Sequence, residues 1–349
     1  MKNFKGLAAA AAAGLISLSS MAAPVFAEGT AGETGTFSTI VKTPEGLYPA
    51  TDAVFTYVIE PATDAENYSD NAVGGTVFNG TSASMPTIST ARNQDNADTK
   101  TTVEYSSSTV TFGNPNGFDG AGVFKYLVKA NPADNEKPGH KSVTLSDTEY
   151  ELYVAVEFEG ENKVVKSYAF RKPGAENEEG KVDAPVFEHT YSPNPLTISK
   201  NVGGNQGNKR QEFTFTVTVD KPVGQTFTTE GKDVTVTEAT EGNKVTYTFK
   251  LSDSESLTIN GLTSDDVYKV KEDAAGYVAS YKKDGGEAVD GAETPEINAI
   301  DGQDETVAFT NTKDGTVPTG ILMTAAPYVA VVGLGGAFAG MFFRRKRED

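Results

Sequence analysis

The sequence predicts an all-β protein: two tandem Ig-like β-sandwich domains set between a cleaved signal peptide and a C-terminal transmembrane segment. Three observations carry this. Short runs of alternating apolar and polar residues recur between clusters of Gly, Thr, Asn and Asp, the pattern of half-buried strands joined by turns. No long apolar stripe of helical period lies between the two termini. Once both termini are set aside, about 290 of the 349 residues remain, enough for two ordinary domains.

At the N-terminus, Lys2 and Lys5 precede a small-residue and apolar run from Gly6 to Leu18. Val25-Phe26-Ala27 then offers the residues a signal peptidase reads, so residues 1–27 are expected to be removed and the mature chain to start at Glu28. The first domain is assigned to residues 28–194. Its strand candidates are the alternating Phe55 to Glu60, Phe124 to Val128 and Leu152 to Val156, and the polar stretch Ala91 to Lys100 reads as a loop. Tyr191-Ser192-Pro193-Asn194-Pro195 breaks the pattern: two prolines within three residues interrupt a ladder and stiffen the connection, which places the boundary there. The second domain takes residues 195–313, and its clearest strand is Phe213 to Val219. The last segment, 314–349, contains Val317-Pro318-Thr319-Gly320, an almost uncharged run from Ile321 to Phe343 of roughly 23 residues, long enough to cross a bilayer, and Arg344-Arg345-Lys346-Arg347, which stays inside.

Composition excludes several functions. The net charge of −18 repels phosphate backbones, so nucleic acid is not expected as a partner. There is no cysteine, hence no disulfide. The spacings of zinc hydrolases, serine hydrolases, P-loops and calcium loops are missing, and Gly203-Gly204-Asn205-Gln206-Gly207 reads as a β-turn. The two histidines, His140 and His189, do not make a metal set, and no cofactor or metal is expected.

Three polar residues of the second domain fall where the alternation demands apolar ones. Lys200 follows Leu196 and Ile198 on one strand face, Glu272 follows Tyr268 and Val270, and Asn311 follows Val307 and Phe309. An unpaired amine or carboxylate in an apolar interior costs several kcal/mol, so such groups neutralise, pair or react. A buried Lys-Glu ion pair with a hydrogen-bonded Asn, or strands short enough to end in solvent, is the alternative reading.

The quoted segments, Leu196 to Val202, Phe213 to Phe215, Tyr268 to Glu272 with Gly276-Tyr277, and Val307 to Lys313, together with the tail, resemble the major (backbone) pilins of Gram-positive bacteria, of the streptococcal FctA or T-antigen type. The Pro-Thr-Gly motif, apolar span and basic tail resemble the cell-wall sorting signal of Gram-positive surface proteins. The resemblance implies Cna-B-like sandwiches and a spontaneous intramolecular isopeptide bond, with Lys200 as nucleophile, Asn311 as electrophile and Glu272 as the catalytic acid. It also implies that a sortase cleaves between Thr319 and Gly320 and passes the threonyl carbonyl to a lysine of the next subunit. Lys181, in the segment Lys181 to Tyr191, is the candidate acceptor, with Lys172 and Lys166 as rivals; the usual Tyr-Pro-Lys pilin motif is absent.

The first domain departs from this pattern. Thr39, Ala130 and His189 occupy the three matching positions, so a sandwich without the cross-link is expected. Lys42 falls on the opposite parity from Phe37 and Val41, unless a bulge turns it inward toward an amide such as Asn131. The function expected is a structural backbone subunit of a cell-wall-anchored pilus and not an enzyme beyond its own single-turnover bond formation. Its expected partners are a sortase, identical subunits, peptidoglycan and, through variable loops, a host surface ligand. An ancillary pilin or monomeric wall-anchored adhesin is the alternative.

Overall fold

The computed structural model describes residues 35–63, 69–70, 75–93, 101–175, 180–238 and 243–315. The expected signal peptide, the sorting motif Val317, Pro318, Thr319 and Gly320 with the apolar span behind it, and most of the expected loop 91–100 lie outside these residues.

Strands dominate, as the period-two patterns require. Along Phe213–Asp220 the side chains alternate buried and half-buried, with Phe213, Phe215, Val217 and Val219 on the inner face. Residues 35–191 build one pair of facing sheets. One sheet runs in the order Val143–Thr144, Val186–Tyr191, Gly35–Lys42, Ser108–Phe112, Pro86–Ile88, with Thr102–Glu104 also on Gly35–Lys42. The other runs Lys181–Val182, Asn162–Arg171, Glu149–Glu159, Gly122–Ala130, Gly75–Asn79, Ser69–Asp70, with Tyr57–Pro61 also on Gly122–Ala130. Residues 194–312 build a second pair. Its first sheet is ordered Thr228–Glu230, Ser256–Leu262, Asn194–Gly203, Glu305–Thr312, Val278–Lys283, Val289–Asp290; its second is Thr235–Glu238, Lys244–Leu251, Phe213–Asp220, Val267–Glu272, Ile297–Asn298.

Each pair of sheets encloses its own core. Phe37, Phe187, Tyr126, Leu152 and Phe170 fill the first, and Leu196, Ile198, Phe215, Phe249, Tyr268 and Phe309 the second. In the second, Phe215 stacks on Phe249 at 5.6 Å and meets Phe309 edge-on at 5.4 Å. Removing one such ring to Ala would cost about 3–5 kcal/mol.

Three elements differ from the sequence expectation. Ala91–Arg92, read as the start of a loop, is a short strand with Ala91 buried in the core. The run Phe55 to Glu60 is not one strand: Val54–Phe55 pairs with Ala91–Arg92, whereas Tyr57–Pro61 pairs with Gly122–Ala130. The break is at Thr56, whose amide and hydroxyl both bond the buried Asp134 carboxylate, at 2.6 and 2.8 Å, and so leave the ladder. Pro195 lies inside a strand, Asn194–Gly203, and is tolerated because the register shifts between Asn194 and Pro195. Only Ser192 and Pro193 separate this strand from Val186–Tyr191.

The two halves are bonded across that short connection. Ser142 Oγ donates to Asp301 Oδ1 at 2.7 Å, Gly139 N to Asp265 Oδ2 at 2.7 Å, Tyr48 N to Thr226 Oγ1 at 2.7 Å and Thr51 N to Val223 O at 2.8 Å.

Candidate cross-linking site

Lys200 and Asn311 stand on neighbouring parallel strands at the centre of one sheet, with Lys200 opposite Phe309 and Asn311 opposite Val202. Glu272 ends a strand of the facing sheet, opposite Phe215. All three point inward: Lys200 and Asn311 are 0 % exposed and Glu272 2 %. The alternation that carries Leu196 and Ile198, Tyr268 and Val270, and Val307 and Phe309 into the core carries these polar residues with it.

The structure brings them together. Lys200 Nζ lies 2.7 Å from Glu272 Oε1, and Asn311 Nδ2 donates to the same oxygen at 2.9 Å. The amine also sits 4.5 Å above the centre of the Phe213 ring. Burial lowers the Lys200 pKa below its ordinary value and raises that of Glu272, in each case against the opposing pull of the partner charge. Desolvation therefore favours the uncharged amine and the uncharged acid, the forms in which one is a nucleophile and the other a hydrogen-bond donor. Rotating the Asn311 amide by a half-turn exchanges Nδ2 for Oδ1 and turns its carbonyl toward a protonated Glu272.

The end of the last strand is fastened as well. Lys313 N donates to Gly203 O at 3.2 Å and Gln206 N to Lys313 O at 2.9 Å, while Asn205 holds Asp314 and Gly315 through three further bonds. Gly204, at φ +85°, permits this approach: a Cβ there would lie 2.3 Å from Lys313 O. The Gly207 amide closes the predicted turn on Gly204 O at 3.2 Å.

In the first sandwich Thr39, Ala130 and His189 are all buried, at 0, 9 and 0 %. Tyr57, opposite Ala130 on the neighbouring strand, fills the space between the sheets; its hydroxyl bonds Thr39 Oγ1, and its ring packs 4.8 Å from Phe187. His189 Nδ1 accepts from Ser146 N at 2.9 Å, and the ring stacks 4.2 Å from Phe55, so it is a core residue. Lys42 faces solvent with Glu188 at 3.8 Å, as its parity requires.

Lys181 pairs with Asp183 at 2.9 Å on the edge strand Lys181–Val182, its side chain 17 % exposed. Lys172 is exposed, and Lys166 is bound to Glu159. Sequence reasoning missed a second buried lysine, Lys125, 2.8 Å from the equally buried Glu151. The alternation around Lys125 assigns it to an outward face, and no local signal says that this face is covered.

Tandem β-sandwiches, the second with an inward Lys, Glu and Asn in contact at its core, define a class of structural protein. The comparisons agree. A family model described as a domain of unknown function, DUF7601, matches residues 194–313. A pilin of Streptococcus pyogenes serotype M1 is 30 % identical over 323 residues, 86 % of each chain, and the protein belongs to the pilins. A pilus tip adhesin, Cpa, of Streptococcus pyogenes is 38 % identical over 143 residues, 40 % of this chain and 19 % of the adhesin. Among solved structures, the T-13 major pilin of Streptococcus pyogenes matches at a TM-score of 0.55 with 23 % identity, covering 82 % of this chain and 100 % of its own. Another major pilin of that organism matches at 0.52 with 20 % identity, covering 81 and 100 %. The protein is thus a structural subunit of a pilus.

Proposed function

We propose that the protein is a shaft subunit of a cell-wall-anchored pilus, joined to its neighbours by a sortase and locked internally by an amide between Lys200 and Asn311. The single observation that carries the reading is the buried triad: amine, acid and carboxamide within hydrogen-bond reach in a dry core, on the first strand, a facing strand and the last strand of one sandwich. The neutral Lys200 amine attacks Asn311 Cγ. Glu272 hydrogen-bonds the carbonyl oxygen, takes the amine proton and returns it to Nδ2, which leaves as ammonia; the Cγ–Nδ2 bond breaks as the Cγ–Nζ bond forms, and Glu272 ends as it began. Folding supplies the high effective molarity, and the reaction runs once.

Assembly uses chemistry outside the two cores. A sortase cysteine attacks the Thr319 carbonyl and expels the Gly320 amine; a lysine of the next subunit then attacks the thioester and frees the cysteine. Lys181 is that lysine, with Lys172 its rival. Peptidoglycan accepts the last subunit, so the protein ends outside the cell, anchored to the wall, and a host surface ligand would meet its loops. The second reading is an ancillary pilin or adhesin, favoured only by the stretch shared with the tip adhesin, which spans 40 % of the chain. Wall extracts of the native organism probed for this protein separate the two: a high-mass ladder that vanishes without the sortase supports the shaft, and a single band supports the alternative.

A further inference from the structure

The outer face of the first domain's larger sheet carries a row of charges that the proposed cross-linking chemistry does not use. Lys125 lies opposite Tyr153, Glu151 opposite Arg171, and Arg171 opposite Lys181, on four consecutive strands. Directly opposed residues share a face, and Glu151 and Tyr153, two apart on one strand, share it too. This face is therefore the reverse of the one on which Phe124, Leu152 and Phe170 fill the core.

The row is built, not merely exposed. Lys125 and Glu151 are 2 and 4 % exposed and 2.8 Å apart. Tyr153, 1 % exposed, donates its hydroxyl to Glu151 Oε2 at 3.1 Å, and packs with Val77, Val123 and Ala169 into a small apolar cluster of its own. The Arg171 guanidinium rests 5.6 Å from the centre of the Tyr153 ring. From this platform two groups reach into the connection that leads to Lys181: Gly174 N donates to Glu151 Oε1 at 3.3 Å, and Arg171 Nη2 donates to Ala175 O at 3.0 Å. Lys172 N closes on Gly180 O at 2.9 Å. A Cβ at Gly180 would meet Ala175 Cβ at 2.4 Å, so the arms of the connection are tightly packed.

A buried ion pair on a sheet face is no more stabilising than apolar side chains of the same volume. What it adds is direction, because each charge accepts only the arrangement in which its partners stay satisfied. We propose that Glu151, held by Lys125 and Tyr153, and Arg171, seated on Tyr153, are positioning residues for Lys181: they fix the backbone of the connection that leads into it, at Gly174 and Ala175, and hold its amine at one place on the sheet edge for the thioester of a neighbouring subunit. Glu151 and Asp183 bracket the opposed cations Arg171 and Lys181, which would otherwise repel one another across the strands. The inference rests on Lys181 being the acceptor.

The test uses the full mature pilin with its polymerising sortase, measuring two steps: hydroxylamine-driven release of the tail beyond Thr319, which needs no acceptor lysine, and formation of the Thr319–Lys181 peptide, quantified by mass spectrometry. Lys181→Arg should abolish the ladder and leave release unchanged; a ladder joined through Lys172 or any other lysine overturns the acceptor assignment itself. With that established, Glu151→Gln and Gly180→Ala should lower kcat/KM for acceptor use by up to about a hundredfold, the scale on which a misplacement of about 1 Å acts, again with release unchanged. The double variant Lys125→Met/Glu151→Leu guards against simple unfolding: it removes both charges together, and its melting curve reports the fold. If that variant melts like wild type and still polymerises through Lys181 at the wild-type rate, the positioning role is overturned.

Discussion

Lys200 and Asn311 are diagonal neighbours on adjacent parallel strands, each two residues along the same inner face from the other's partner, and Glu272 Oε1 lies within 2.9 Å of a polar atom of both. Parallel neighbours must be distant in sequence. A bond between these two therefore ties the start of the second sandwich to its end.

The first prediction concerns mass. Purified mature protein should weigh one ammonia less than its sequence, and a digest should yield a Lys200–Asn311 branched peptide. A second lost ammonia would mean that the first sandwich also cross-links, against the Thr39, Tyr57 and His189 packing that fills its equivalent space.

Glu272 gives the second. Glu272→Ala should fold yet leave Lys200 and Asn311 as free side chains. Losing the loop closure removes on the order of 4–5 kcal/mol, which lowers the melting temperature of the second domain by on the order of 20 °C. Calorimetry together with peptide mapping checks both; full cross-linking in this variant would remove the glutamate from the mechanism.

The sites legible in the sequence and those that were not differ for a physical reason. Lys200, Glu272 and Asn311 break an apolar parity, and a broken parity is visible in one strand taken alone. Lys125 keeps its parity, and its charge is met by Glu151, on a neighbouring strand and not local in sequence. The same holds for Thr56, whose departure from the ladder depends on an aspartate 78 residues away, and for the bonds from Asp265 and Asp301 across the two halves. Alternation shows which face a residue takes, but what covers that face is a tertiary fact.

The third prediction is a pH dependence in the first domain. Burial pushes the His189 imidazolium down to about 4 from 6.5; Asp134 partly opposes the shift and His140 adds to it. The unfolded chain takes its proton as pH falls through 6.5, while the folded chain resists until about 4. Stability is thus fully present above 6.5 and is lost as pH falls from 6.5 to 4, by about 3 kcal/mol at 1.36 kcal/mol per unit. Denaturant melts at pH 7 and pH 4.5 measure the loss. His189→Gln, which keeps an acceptor for Ser146 N but does not titrate, should flatten the slope; an unchanged slope would assign it to other groups.

The last prediction is mechanical and follows from the chain path. If subunits join from Thr319 to Lys181, force enters the second sandwich just past Asn311, and the amide passes it to Lys200 without loading the strands between. It then leaves through the Asn194–Gly203 strand, crosses Pro193 and Ser192, and runs along Val186–Tyr191 to Lys181. Most of the first sandwich, including the strands Gly35–Lys42 to Asn162–Arg171, lies off this path, so it needs no bridge of its own. Pulling single molecules through Thr319 and Lys181 should leave the wild-type second domain inextensible. Asn311→Ala should instead unfold it by the contour of roughly 110 residues at about 3.3–3.6 Å each, on the order of 350–400 Å before the folded span is subtracted. Reductant should change neither trace, because the chain has no cysteine. Equal extension in the two proteins would refute the bond and the load path together, whereas extension of the wild type with the branched peptide intact would refute the load path alone.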